Sequence, residues 1–433
     1  MKTSGITALL AALGLIAGID AQASYPDTSW WSPSETELKI WDYDDLLGMS
    51  FLAREGTDFS GQKIVLQEDV VIADLNNWIP IGDGDTPFNG TFSGNLKSIS
   101  FFSRDNTVSE SCRPSLFGCI GKQGKAMNLI IRSEGSLYVP YEDGDQEIYV
   151  GAVAAENRGL ISNCHISGSL KVSADASSMA VIGSAAGISQ PASFIVNCTC
   201  SISYDCDTGY MTGGVVGILN GGTVNRCVNS GSITFNARNQ EGYCGGIAAA
   251  ISSGYDDTGK RGIFNCENSG SIYAYEGCRY VGVGGIAGDM QPRAYLYNSA
   301  NIGNIYARCY AAGGISGLTG GDMYNCLSAG ELHIAGSTHC DAIAVGCRDY
   351  RFLFCDSCFW ASDLTDGPVK SAHGKGLRIK AIKSKSFCSR LNSAAMKRSD
   401  VIPYAMNRWE TSKVNGEWWY PGFAGNGFRH QNM

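Results

Sequence analysis

Between Gly151 and Leu332 the apolar positions fall in short runs. Val215-Val216-Gly217-Ile218-Leu219 and Ser271-Ile272-Tyr273-Ala274-Tyr275 stay apolar or alternate, then stop at Gly, Asn or Ser. That is the rhythm of strands and turns. No window of this stretch carries the three-and-four spacing that a helix needs over ten or more positions. The runs also recur. An opening glycine stands at Gly151, Gly183, Gly213, Gly245, Gly284 and Gly313, so the steps are 32, 30, 32, 39 and 29 residues by subtraction. A repeat of about thirty residues calls for a solenoid, a propeller or an array, and it is short for a four-stranded propeller blade. Strands this short bury no face alone, but stacked in parallel about 4.8 Å apart they share one continuous core. The pattern predicts an all-β fold, a parallel β-helix.

Within each unit a cysteine precedes an aliphatic residue by six positions: Cys164/Leu170, Cys227/Ile233, Cys266/Ile272 and Cys326/Leu332, with Ser299/Ile305 carrying a hydroxyl instead. The second unit, Asn197-Cys198-Thr199-Cys200-Ser201-Ile202, is expected to lose this register. With a period of two, Leu170, Ile233, Ile272, Ile305 and Leu332 point inward, and so do Val172, Phe235, Ala274, Ala307 and Ile334. The outward columns are then Lys171, Thr234, Tyr273, Tyr306, His333 and Ser173, Asn236, Tyr275, Arg308, Ala335. The glycine pairs are expected where the coil turns tightly or where small side chains admit a neighbouring coil, since glycine tolerates positive φ without a Cβ clash. The extra length of the unit from Gly245 to Cys266 places an insertion at Ser252 to Gly262, expected to be an exposed loop.

These units resemble GLUG-motif repeats, known from secreted bacterial surface proteins, Bacteroidetes proteins and the regions upstream of immunoglobulin A metallopeptidases. Asp58-Phe59-Ser60-Gly61-Gln62-Lys63-Ile64-Val65-Leu66, Trp78-Ile79-Pro80-Ile81-Gly82, Phe88-Asn89-Gly90-Thr91-Phe92-Ser93-Gly94 and Leu116-Phe117-Gly118 resemble the segment that commonly leads into such repeats. The resemblance covers about Lys39 to Trp360. It implies a right-handed β-helix on a cell surface and no shared catalytic residues.

The ends refine this picture. Met1 to Ala23, with one early lysine, an apolar run from Ala8 to Ile19 and Ala21-Gln22-Ala23, reads as a secretory signal peptide cut before Ser24. The expected partition is 1–23 signal peptide, 24–57 N-terminal cap, 58–150 leading coils, 151–360 repeat coils and 361–433 C-terminal cap. Acidic residues ahead of Leu46, Leu47, Met49 and Phe51 predict a helix capping the first coil. Nine Lys and Arg residues between Lys370 and Arg398 suit a solvated cap better than a nucleic-acid surface in an exported chain of net charge −8. No later segment is apolar enough for a membrane span.

Candidate chemistry is sparse. The seventeen cysteines invite a disulfide reading, but Cys164, Cys227, Cys266 and Cys326 share one phase and are expected to form a buried ladder of free thiols. Cys278, Cys309 and Cys340 lie in turns, 31 residues apart by subtraction, and are expected within disulfide reach. Cys355-Asp356-Ser357-Cys358 is a lone Cys-x-x-Cys, read as structural. No paired zinc spacing is present, so neither a metal nor a cofactor is expected. The five histidines form no His-Glu-x-x-His, and no Gly-x-Ser-x-Gly elbow occurs. Ala372-His373-Gly374 and Arg378-Ile379-Lys380 have the wrong order for a polygalacturonase, and the acidic turns Asp83-Gly84-Asp85 and Glu142-Asp143-Gly144-Asp145 lack EF-hand spacing. The expected role is a non-enzymatic, exported surface solenoid whose strip Tyr273, Tyr275, Tyr306, Arg308 and His333 binds a glycan or host surface molecule. A β-helical polysaccharide lyase or glycoside hydrolase, and a passive spacer, are the alternatives.

Overall fold

The computed structural model describes residues 25–72, 78–102, 115–139, 147–174, 179–207, 210–236, 241–252, 261–274, 280–346, 354–367, 369–397, 407–411, 413–414, 417–418 and 420–423. Two parallel sheets begin in the leading coils, a third joins at Phe117 and a fourth at Glu147, after which each coil of chain contributes a strand to each of the four in turn. In one coil Met211–Gly213 lies in the first face, Val216–Asn220 in the second, Thr223–Asn225 in the third, and Val228–Asn229 with Ile233–Phe235 in the fourth. Every pairing between successive coils is parallel. Leaving the second face at one coil and returning to it at the next is what puts equivalent residues in register. Gly151, Gly183, Gly213, Gly245, Gly284 and Gly313 are register partners in that order, and Asp341 continues the column.

Inward residues fill one continuous core. Leu170, Ile233, Ile272, Ile305 and Leu332 are buried, as are Val172, Phe235, Ala274, Ala307 and Ile334. The second unit does not lose its register, contrary to the sequence expectation. Tyr204 pairs with Leu170 on one side and Ile233 on the other. It stands six residues after Cys198 and is buried where the other coils place an aliphatic. Its ring fills the column while its hydroxyl reaches Ser184 Oγ at 3.1 Å, a partner in the bend between Met179–Gly183 and Ala186–Ser189 that satisfies the polar group.

The glycine pairs sit where small residues admit the neighbouring coil, one of the two expected settings. None has positive φ among the left-handed residues; the cause is space. A Cβ on the first glycine of each pair would meet the carbonyl three residues on, at 1.8 to 2.0 Å for Gly213, Gly245, Gly284 and Gly313. A Cβ on the second would strike a side chain beneath it: Asn229 for Gly214, Asn268 for Gly246, Asn301 for Gly285 and Ser328 for Gly314. Those asparagines form a buried ladder. Asn229 Nδ2 donates to Asn268 Oδ1 and Asn268 Nδ2 to Asn301 Oδ1, both at 2.9 Å, and each amide also donates to the glycine carbonyl two residues later.

Helix α1, Tyr43–Arg54, starts at Asp42, whose side chain accepts from Asp45 N, and buries Leu46, Met49, Leu52 and Ala53 against the first coils. Phe51 is exposed, because the buried stripe runs through positions 46, 49 and 53 at helical spacing. At the other end α2, Ile379–Ile382, and α3, Lys385–Lys397, lie along the side of the solenoid. Phe387 and Leu391 of this segment, with Trp409 and Phe423, cover Ala300, Leu327, Ala329 and Phe359. No helix among the described residues is long and apolar enough to cross a membrane.

Candidate functional site

Parallel, in-register strands put like side chains at stacking distance. On the outer side of the fourth face, Tyr273 pairs with Tyr306 and Tyr306 with His333. Their rings stack: Tyr273 and Tyr306 lie 5.1 Å apart at 3°, Tyr306 and His333 4.6 Å apart at 7°. The column continues backward through Thr234, Asp205 and Lys171; Asp205 is the rung that sequence reading left out. Carboxylates border the stack. Tyr306 Oη donates to Glu331 Oε2 at 3.3 Å, and His333 meets Glu331 Oε2 at 3.3 Å through Nε2 and Asp366 Oδ1 at 2.9 Å through Nδ1. Desolvation, then the charge of Glu331, raise the Tyr306 hydroxyl above its ordinary range, which keeps it a donor. Arg308 is exposed in the next outward column. Tyr275, its neighbour in that column, lies outside the described residues.

The second set of predicted residues is internal. Cys164, Cys227, Cys266 and Cys326 have no exposed surface, Ser299 stands in the same file, and the structure adds Cys198 and Cys358. Each Sγ or Oγ in the file lies 3.0 to 3.5 Å from the carbonyl two residues earlier. Backbone bonds from the following residue join successive rungs, Thr199 N to Cys164 O through Phe359 N to Cys326 O. Burial, then hydrogen bonds with Cys198 and Cys266, push the Cys227 thiol up. A file of buried thiols behaves as a packing element.

No disulfide joins two of the fourteen described cysteines. Cys309 and Cys340 are not neighbours: Cys309 N donates to Ser337 Oγ at 3.3 Å, whereas Cys340 pairs with Ala312 and is exposed. The coil from Gly313 to Asp341 is 28 residues by subtraction, so cysteines 31 apart fall out of register. Cys278, the loop residues 253–260, the acidic turn Glu142 to Asp145, the signal-like segment 1–23 and His430 lie outside the described residues. Asp83 Oδ1 accepts from Asp85 N and Thr86 N, which makes that acidic turn a local structural one. Among the described residues no three of His, Cys, Asp and Glu are placed to hold a metal ion. A cavity of about 480 Å³ lies where α3 meets the last coil, lined by Cys355, Cys358, His373, Lys375, Arg390 and Lys397 among others.

Sequence reading missed a further ladder at the corner between the third and fourth faces. Asn128, Asn163, Asn197, Asn265, Asn298 and Asn325 all have φ between 51° and 57°, the left-handed turn that asparagine tolerates. Asn298 Nδ2 donates to Asn265 Oδ1 at 2.8 Å, Asn325 Nδ2 to Asn298 Oδ1 at 2.7 Å, and Asn325 Nδ2 to Leu391 O of α3 at 3.1 Å. The Asn that precedes Cys164, Cys198, Cys266, Ser299 and Cys326 was the signal.

No family model matches the chain, the GLUG repeat included, and no curated protein matches it. Among solved structures it is similar to a chain from Bacteroides ovatus provisionally described as an immunoglobulin A1 protease, with 18% identity, a TM-score of 0.44, 90% of this chain covered and 93% of that one.

Proposed function

We propose that this chain is an exported, non-enzymatic surface solenoid of the GLUG-repeat kind that binds an extended glycan along its fourth face. The observation that carries the reading is the continuous stack Tyr273, Tyr306, His333 bordered by Glu331 and Asp366. Because the rings face one another, the strip offers their edges, a phenol hydroxyl and two carboxylates outward. That arrangement suits hydroxyl-rich polymers, and the carboxylates disfavour uronic or sialic acids and favour neutral or amino sugars. One ring face remains for a sugar: on its far side Tyr273 pairs with Thr234, which covers less of a ring than tyrosine does. Export rests on the Ala8 to Ile19 apolar run.

Retention on immobilised neutral, amino and acidic glycans tests this. Tyr273→Ala with Tyr306→Ala is expected to lose at least about tenfold in affinity, as one to two kcal/mol of stacking and hydrogen bonding would require, with circular dichroism unchanged. Undiminished retention moves the site elsewhere. New reducing ends or unsaturated products from the bound polymer would replace the reading with an enzymatic one.

A further inference from the structure

The last coil departs from the pattern at one inward position. In the third face the inward column runs Ala126, Ile161, Ile195, Val224, Ile263, Leu296, Met323 and then Cys355. Every earlier rung is apolar and inert; the last is a thiol. Three residues on, past Ser357 at φ 56°, Cys358 ends the thiol file. The corner that elsewhere pairs an aliphatic with a cysteine therefore pairs two cysteines here, and it does so where the solenoid stops and the core opens. Cys355 is half-buried, Cys358 is 2% exposed, and both line the 480 Å³ cavity. Three cationic side chains, Lys375, Arg390 and Lys397, line the same cavity, with Asp356 the carboxylate among its walls. Arg390 is held there over the Phe359 ring, 4.5 Å from its centroid. Cys355 Sγ is 2.6 Å from His373 O.

We propose that Cys355 and Cys358 form a thiol–disulfide exchange site that takes small, anionic disulfides from solution. In the forward direction Cys355 gives up its proton and its sulfur attacks one sulfur of R–S–S–R. A Cys355–S–S–R bond forms and one R–S⁻ leaves. The Cys358 sulfur, losing its own proton, then attacks the Cys355 sulfur, the internal disulfide closes and the second R–S⁻ leaves. The two released protons are taken up by the two R–S⁻ groups, so two protein thiols are oxidised while one small disulfide is reduced to two thiols. Hydrogen bonds from Cys326, then from Cys355, lower the Cys358 thiol, which suits the resolving role. Pairing with Cys358, then burial, pushes Cys355 up, so the first attack is the slow step. The cations select the reactant: a disulfide bearing carboxylates is concentrated in the cavity and one bearing ammonium groups is repelled.

Folded full-length protein is incubated with glutathione disulfide, cystamine or hydroxyethyl disulfide, and the cysteine peptides are mapped by mass. Glutathione disulfide should remove two hydrogens from the peptide holding Cys355 and Cys358, at least about threefold faster than cystamine at low salt, with the ratio falling toward one as salt rises. Exposed Cys340 serves as an ordinary surface thiol and should stop at the mixed disulfide. Cys358→Ser, a change the file already accommodates at Ser299, should trap one R–S group on Cys355. A Cys355/Cys358 peptide that stays reduced, or a Cys358→Ser protein that carries no adduct there while Cys340 reacts, overturns the site. Equal or faster reaction with cystamine overturns the selection for anionic disulfides.

Discussion

Burial raises the Asp289 carboxyl to about 7 from its ordinary 3.8, opposed only by the neighbouring Met290 N–H. Its register partners on the second face are Ala250 and Leu318, so neither side supplies a cation. In the unfolded chain the group loses its proton near 3.8, whereas the folded chain holds it to about 7. Folding therefore takes up a proton in that window. The contribution is fully present below about pH 4 and is lost as pH rises through 7. The whole shift corresponds to roughly 4 kcal/mol, an upper bound that local relaxation lowers. Asp289→Asn is expected to stabilise the protein by about 2 kcal/mol at pH 8, with the gain vanishing near pH 4. Urea midpoints of the two proteins across that range check this, and a gain that is constant with pH would mean that the charge is not what the site resists.

At the scale of elements, the close approach of arch and ladder decides which positions tolerate change. A Cβ at Gly285 would lie 2.3 Å from both Asn301 Cγ and Gly314 O; the first cannot yield without breaking the buried amide ladder, and the second is backbone of the neighbouring coil. Gly285→Ala is expected to cost about 3 kcal/mol or more, from overpacking and lost hydrogen bonds together. Gly84→Ala, where the nearest atom is Arg158 Nη2 at 3.6 Å, should stay within about 0.5 kcal/mol. Denaturant titration of the two variants separates them, and equal midpoints would remove the ladder as the reason for the glycine pair. The repeat phase was legible because Gly, Cys and aliphatic recur at fixed offsets in the chain. Why the second glycine must be glycine was not, since the atom it avoids belongs to a residue 16 positions later, by subtraction from Gly285 to Asn301. Tyr204 escaped for the same reason: a tyrosine is acceptable in an aliphatic column only because Ser184, in a bend 20 residues earlier, stands opposite its hydroxyl.

Across the whole molecule, contacts between neighbouring coils dominate, and the C-terminal segment is the exception. Asn325 reaches Leu391 and Asn298 reaches Trp409, 66 and 111 residues away. Periodicity carries no information on such contacts, so the lateral course of α3 and the cavity it closes were invisible in the sequence. The strip Tyr273, Tyr306, His333 was visible, because register turns one column of letters into one column of side chains. A stacked array need not open all at once; its ends have one neighbour where its middle has two. The thiol file reports on this, with a rung in successive coils from Cys164 to Cys358. In urea well below the midpoint, a thiol-specific label should reach Cys358 and Cys326 first and Cys227 and Cys266 last, while native protein leaves Cys164 to Cys326 unlabelled. Deleting residues 379–433 should speed labelling of Cys326 more than that of Cys227, because the segment that covers Leu327 and Phe359 goes with it. A single rate for every rung, with or without the segment, would show that the solenoid opens as one cooperative unit and that its ends are as firmly held as its centre.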